Sequence, residues 1–233
     1  MLEISEELRN NGSPEKADWW NNYLKGEIPF LGVGTPEIRK LFLDKNRESA
    51  FSQLAMNKQV ALVNGLMRGG YGEEKLAAIL YVQLFWLDYL KSSFLMNLVS
   101  DWFDDRYIHD WNTTDSLCIR ILAPLVDSGE DEVIWRLKRW NRDPYIWKAR
   151  ASLVAFARAS TIHKHAKEVE RFADTLIRRK ERFAKTAVGW VLREYSKHDP
   201  EFVLAFLSRH VKHTTSEMKR NALRYYRQYL RVD

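Results

Sequence analysis

The chain has a single cysteine, Cys118, so it can form no disulfide within itself and no cysteine-based zinc site. Cys118 follows Leu117 in a helical apolar pattern and reads as a small buried hydrophobe. Only 10 glycines and 6 prolines occur in 233 residues, which excludes collagen-like and low-complexity chains. No apolar run approaches the ~18 residues that suggest a membrane span; the richest, 76–87, is interrupted by Gln83. The first residues, MLEISEELRNNGSPEK, are polar and acidic, unlike a secretory signal. A cytoplasmic protein is therefore expected. Strand-like alternation is missing throughout. His163, His165, His210 and His213 lack the spacing and the acidic or cysteine company of a metal site, so they are expected at the surface, with no metal and no cofactor. Gly32-Val-Gly34 lacks a preceding strand and a third glycine, which excludes a dinucleotide fingerprint.

What is present can build a core. Hydrophobic residues make up 45% of the chain and charged residues 29%, the balance of an ordered protein. Nine tryptophans are more than a core of this size needs, so some rings should serve a surface. The net charge of +6 hides an asymmetry. Residues 1–119 carry 12 Lys/Arg against 17 Asp/Glu, and residues 120–233 carry 25 against 14. A basic half is the electrostatic footprint of a nucleic-acid or anionic-membrane partner. A solubilising cover of lysines and arginines is the alternative.

Helical periodicity runs almost end to end. Ser13-Pro14 and Thr35-Pro36 are helix starts, giving helices from Pro14 to about Lys25 and from Thr35 to about Lys45. Gly69-Gly70 precedes a helix from Glu73 to about Leu90, whose inner stripe is Leu76, Ile79, Leu80, Gln83, Leu84 and Leu87. Further helices are expected over 110–126, 130–140, 144–159, 164–177, 183–198, 200–211 and 215–230. Short links between successive helices predict an all-α fold, an α-solenoid of HEAT-like antiparallel pairs. The chain is expected to be one domain, 1–233, with 1–34 as an N-terminal helical cap and 35–233 as repeats. A compact helical bundle is the alternative architecture.

One spacing stands out on this frame. Trp111 and Asp115 lie one helical turn apart and share a face. Arg150 follows Asp115 by 35 residues, and Trp190 follows Arg150 by 40. A HEAT-type repeat has a period of about 40 residues, so these side chains would occupy equivalent helices and line one wall. Each has a plainer explanation alone: a solvated carboxylate, core tryptophans, a helix-face ion pair. The shared register is what suggests a joint surface acting on something anionic.

Longer motifs carry a family resemblance. Lys185-Thr-Ala-Val-Gly-Trp-Val-Leu-Arg-Glu-Tyr195 and Phe30-Leu-Gly-Val-Gly-Thr-Pro-Glu-Ile-Arg39 resemble the two most recognisable segments of the AlkD-type DNA alkylation-repair glycosylases, which are built of HEAT-like repeats. Ser13 to Ala17, the Trp111/Asp115 pair and Trp147 to Arg150 also fit, in order, from about residue 6 to 226. The resemblance implies that Asp115 is the catalytic carboxylate and that Trp111 and Trp190 pack on the lesion's deoxyribose. It implies that Arg150 lies near the DNA backbone, that Tyr23 lies near the site, and that Lys185 and Arg193 contact DNA. The chain departs from the family pattern at Asp110, where an aromatic is frequent, at Asn112, where an acid is frequent, and at Thr186, where a lysine is frequent.

The implied activity is hydrolysis of the N-glycosidic bond of N3-alkyladenine and N7-alkylguanine in duplex DNA. The implied protein is a monomer, free of cofactor and membrane, on the nucleoid when bound to DNA. It would not enclose the base in a pocket. Some relatives lack the carboxylate and do not catalyse, so a HEAT-like module that grips distorted or branched DNA is the alternative. A protein-interaction solenoid with an acidic partner is a third.

Overall fold

The computed structural model describes residues 2–226. Among these the regular structure is helical, with no strand. The chain divides into two compact units, Met1–Ile121 and Leu122–Asp233.

The first unit holds α1 (Leu2–Asn10), α2 (Pro14–Tyr23), α3 (Thr35–Ser49), α4 (Met56–Met67), α5 (Gly72–Phe85), α6 (Ser92–Asp104) and α7 (Trp111–Leu117). Ser13 caps α2 by accepting from the Lys16 amide, with Pro14 in the first turn, as the Ser-Pro pair predicts. The stripe expected on α5 is too narrow. Every residue from Gly72 to Val82 is buried, so this helix is the unit's core and packs on all sides. Its polar members are all satisfied or paired. Glu73 accepts from the amides of Leu31, Gly32 and Val33 at 2.9, 2.8 and 3.1 Å, which staples the 29–34 loop to the start of α5. Gly32 has φ +86°, and a Cβ there would lie 2.1 Å from the Ser13 carbonyl oxygen, so only glycine fits. Helices α1, α4 and α6 are absent from the sequence-based expectation.

The helix expected over 110–126 is three segments: α7, a π-helical turn at Cys118–Leu122, and α8 (Ala123–Asp127). Cys118 is buried, as its apolar neighbours imply. The second unit continues with α9 (Asp131–Trp140), α10 (Ile146–Val154), α11 (Ala166–Ile177), α12 (Arg182–Tyr195), α13 (Pro200–Arg209) and α14 (Ser216–Ala222). The sequence predicts the last helix over 215–230; residues 227–230 lie outside the described residues.

Helices α12 and α14 approach closely because of Gly189. A Cβ at 189 would lie 2.9 Å from the Met218 carbonyl oxygen. His210, expected at the surface, is buried, its ring 4.4 Å from that of Phe206 and its Nε2 3.4 Å from Asp174. The apolar face of α13 draws it inward. Among the described residues, no helix is long and apolar enough to cross a membrane.

Candidate functional site

In the first unit the site residues gather where α2 meets α7. No residue of α2 is buried, and it carries Trp19, Trp20 and Tyr23. The rings of Trp19 and Tyr23 stack at 5.0 Å, and both are more than half exposed, at 57% and 55%. Trp20 stacks on Phe30 at 5.3 Å. Asn21 accepts from the Phe30 amide at 3.0 Å, and the Glu73 staple holds the rest of that loop. Tyr23 then meets Trp111 edge-on, centroids 5.5 Å apart and planes at 80°. That geometry suits the ring quadrupoles. A continuous aromatic surface therefore runs from α2 onto α7.

Asp110 is the N-cap of α7. Fully buried, it caps the helix by accepting from the Thr113 amide at 2.8 Å, and its carbonyl accepts from the Thr114 hydroxyl at 2.7 Å. The cap fixes the direction in which the next turn leaves. Trp111 and Asp115 follow on one face, each half-buried. Tyr23, Trp111 and Asp115 thus occupy one neighbourhood, two of them in ring contact.

The second unit holds the other expected residues on α10 and α12. Arg150 is buried at 4% exposure, and its Nη1 donates to the Phe183 carbonyl at 2.7 Å and to Thr186 Oγ1 at 3.1 Å. Thr186, a departure from the family pattern, is thus an acceptor for Arg150. Trp147 packs on Phe183 at 4.9 Å, so α10 supports the first turn of α12 from two points. Trp190 sits one turn beyond Thr186 and is half-buried. Its indole Nε1 is shielded from solvent and finds no acceptor among the described residues.

Lys185 and Arg193, expected on DNA, are engaged within the unit. Lys185 Nζ donates to the carbonyls of Ile177 at 2.9 Å and His213 at 2.6 Å, tying the end of α11 to the turn before α14. Arg193 binds Glu194 Oε1 through Nε and Nη2, and Asn221 on α14 through Nη1 at 3.0 Å. Burial pushes the Glu194 carboxyl up, but Lys197 and Arg193 outweigh it, and the net shift is downward. Thr186, Glu217, Met218, Arg220, Asn221 and Arg224 line a cleft of about 410 Å³ between α12 and α14. Arg220 and Arg224 have no signal in the sequence beyond their charge.

The chain is an all-helical protein that displays an aromatic face with a carboxylate one turn beyond it. Among its described residues, no three His, Cys, Asp or Glu side chains gather as a metal site would require. The sequence profile of the DNA alkylation repair enzymes matches residues 4–226, and the chain belongs to that family. No curated protein matches it. Among solved structures it is similar to one described as a predicted DNA alkylation repair enzyme from Enterococcus faecalis. The two are 18% identical, with a TM-score of 0.76 over 92% of this chain and 96% of that one. At that identity the likeness establishes a shared fold.

Proposed function

We propose that the protein is a monofunctional DNA glycosylase for cationic alkylpurines, N3-alkyladenine and N7-alkylguanine, in duplex DNA. The alkylated base carries a positive charge. When its bond to C1′ breaks, the electron pair stays with the ring nitrogen and the base leaves neutral, so it needs little acid catalysis. Positive charge then develops on the deoxyribose. Asp115 stabilises that charge as it forms and accepts a proton from the water that bonds to C1′. Trp111 faces the same sugar, and its indole adds about 0.5–2 kcal/mol of cation–π attraction. Trp190 supplies the second indole. Arg150 provides the cation on the phosphate side, oriented by Phe183 and Thr186. Lys185 and Arg193 act through the helices they hold.

The observation that carries this reading is the Tyr23–Trp111 contact at 5.5 Å beside Asp115 on the same helix face. Exposed stacked rings suit a sugar or a base as a partner. Such a surface reads a lesion from the backbone side, so bulky cationic adducts are tolerated and neutral lesions are not. The test is incubation with duplexes carrying N7-methylguanine or uracil, with the freed bases identified. Release of N7-methylguanine alone is expected. Efficient uracil excision, or no release from either duplex, contradicts the proposal.

A further inference from the structure

Away from the aromatic face, the first unit brings two arginines to one neutral side chain. Arg39, on α3, donates through Nη2 to Gln83 Oε1 at 2.8 Å. Arg120, in the π-helical turn, donates through Nη1 to the same oxygen at 3.3 Å. All three side chains are half-buried. Among the described residues neither guanidinium has a carboxylate within ion-pair distance, and Arg120 Nε is buried with no acceptor. Burial lowers the Arg120 pKa, and the Arg39 charge lowers it further.

This arrangement is costly unless something completes it. Two like charges in a partly desolvated site repel, and an unsatisfied buried donor adds to the penalty. A glutamate at 83 would offset one of the two charges and accept from both forks; the chain has glutamine. A planar guanidinium offers a fork of N–H donors that matches phosphate oxygens. Arg120 also sits five residues beyond Asp115. In a regular α-helix five residues point about 140° apart, and the wider π turn reduces that angle.

We propose that Arg39, Gln83 and Arg120 form a phosphate-binding site. The guanidinium donors take the oxygens of one phosphate, and the Gln83 carbonyl keeps the two forks in register. That the phosphate is a DNA backbone phosphodiester rests on the glycosylase reading above; free inorganic phosphate shares the chemistry.

The test is binding of a methylated duplex over a range of salt, with thermal melts in the presence and absence of inorganic phosphate. The proteins are the wild type, Arg120→Gln, Gln83→Glu and, as a control of equal added charge, Gln53→Glu at an exposed position of the same unit. Gln83→Glu supplies an internal anion. It should raise the melting temperature yet weaken duplex binding about tenfold and flatten the salt slope by about one. Arg120→Gln should reproduce the weakening of duplex binding and the flatter salt slope, and Gln53→Glu should change neither binding nor melting temperature. If duplex binding is intact but phosphate protects the wild type and not Gln83→Glu, the site takes free phosphate and the DNA source is overturned. If Gln83→Glu only raises the melting temperature, and phosphate protects nothing, the site itself is overturned. A wild type that binds duplex through these residues but frees no base sinks the glycosylase reading and leaves the phosphate site standing.

Discussion

Asp115 and Trp111 stand one turn apart on a helix whose start is fixed by a buried aspartate cap, and Tyr23 leans edge-on against Trp111 from α2. Removing the indole should therefore act on two partners. Trp111→Ala is expected to lower base release while loosening Tyr23, read as an increase in tyrosine fluorescence quenching by iodide. Release at the wild-type rate would remove Trp111 from the site. Glu73 is the corresponding structural residue, a buried carboxylate that accepts three loop amides. Glu73→Ala leaves those amides without an acceptor and should cost about 3 kcal/mol or more, measured by urea unfolding; a loss below 1 kcal/mol would contradict the staple. The Trp111/Asp115 spacing is legible in the sequence because one turn of helix fixes it. The Tyr23 contact is not, because it depends on how the 29–34 loop is held. The same limit explains Arg150, whose charge is plain in the sequence but whose burial against Phe183 depends on the packing of α10 on α12.

Helix α12 shows how one element combines support and site. Gly189 admits α14, Lys185 caps neighbouring carbonyls, Arg193 reaches Asn221, and Trp190 rides on the same turns. Gly189→Val should clash with the Met218 backbone and cost about 1–3 kcal/mol, with a lower melting temperature as the readout. The Glu194 carboxyl, buried between Arg193 and Lys197, has its pKa lowered in the fold. A lowered carboxylate pKa contributes stability that is present above the ordinary glutamate value of about 4.3 and is lost as pH falls through the folded value. Glu194→Gln should therefore melt below the wild type at pH 7, with the gap closing on acidification below pH 4. A gap that stays constant with pH would rule out the ion pairs as its source. Helix starts carrying Ser-Pro or Thr-Pro were readable because the residue chemistry is local. An apolar stripe cannot reveal that even Glu73, Glu74 and Lys75 of α5 are buried. The break at Cys118–Leu122 is followed closely by Pro124, which has no amide to continue the helix ladder, but the helical periodicity runs on across it.

At the scale of the whole molecule, charge and aromatic content point the same way. The excess of Lys and Arg in residues 120–233 predicts duplex binding that weakens steeply with salt, about 0.9 log units per tenfold rise in salt for each phosphate neutralised. Binding that ignores salt would remove the DNA partner. The all-helical class was legible from periodicity, and membership of the DNA alkylation repair enzymes from motifs spread along the chain. The division into two compact units is not legible, because the boundary falls inside a helical run with no glycine or polar linker, and Pro124 just beyond it stands within the first turn of α8. The central claim is that the Asp115 carboxylate drives release of a cationic base, and its most direct measurement is single-turnover release of N7-methylguanine by Asp115→Asn beside duplex affinity. Release about 10²–10³-fold slower with affinity unchanged or higher is the expected result; release at the wild-type rate would contradict it.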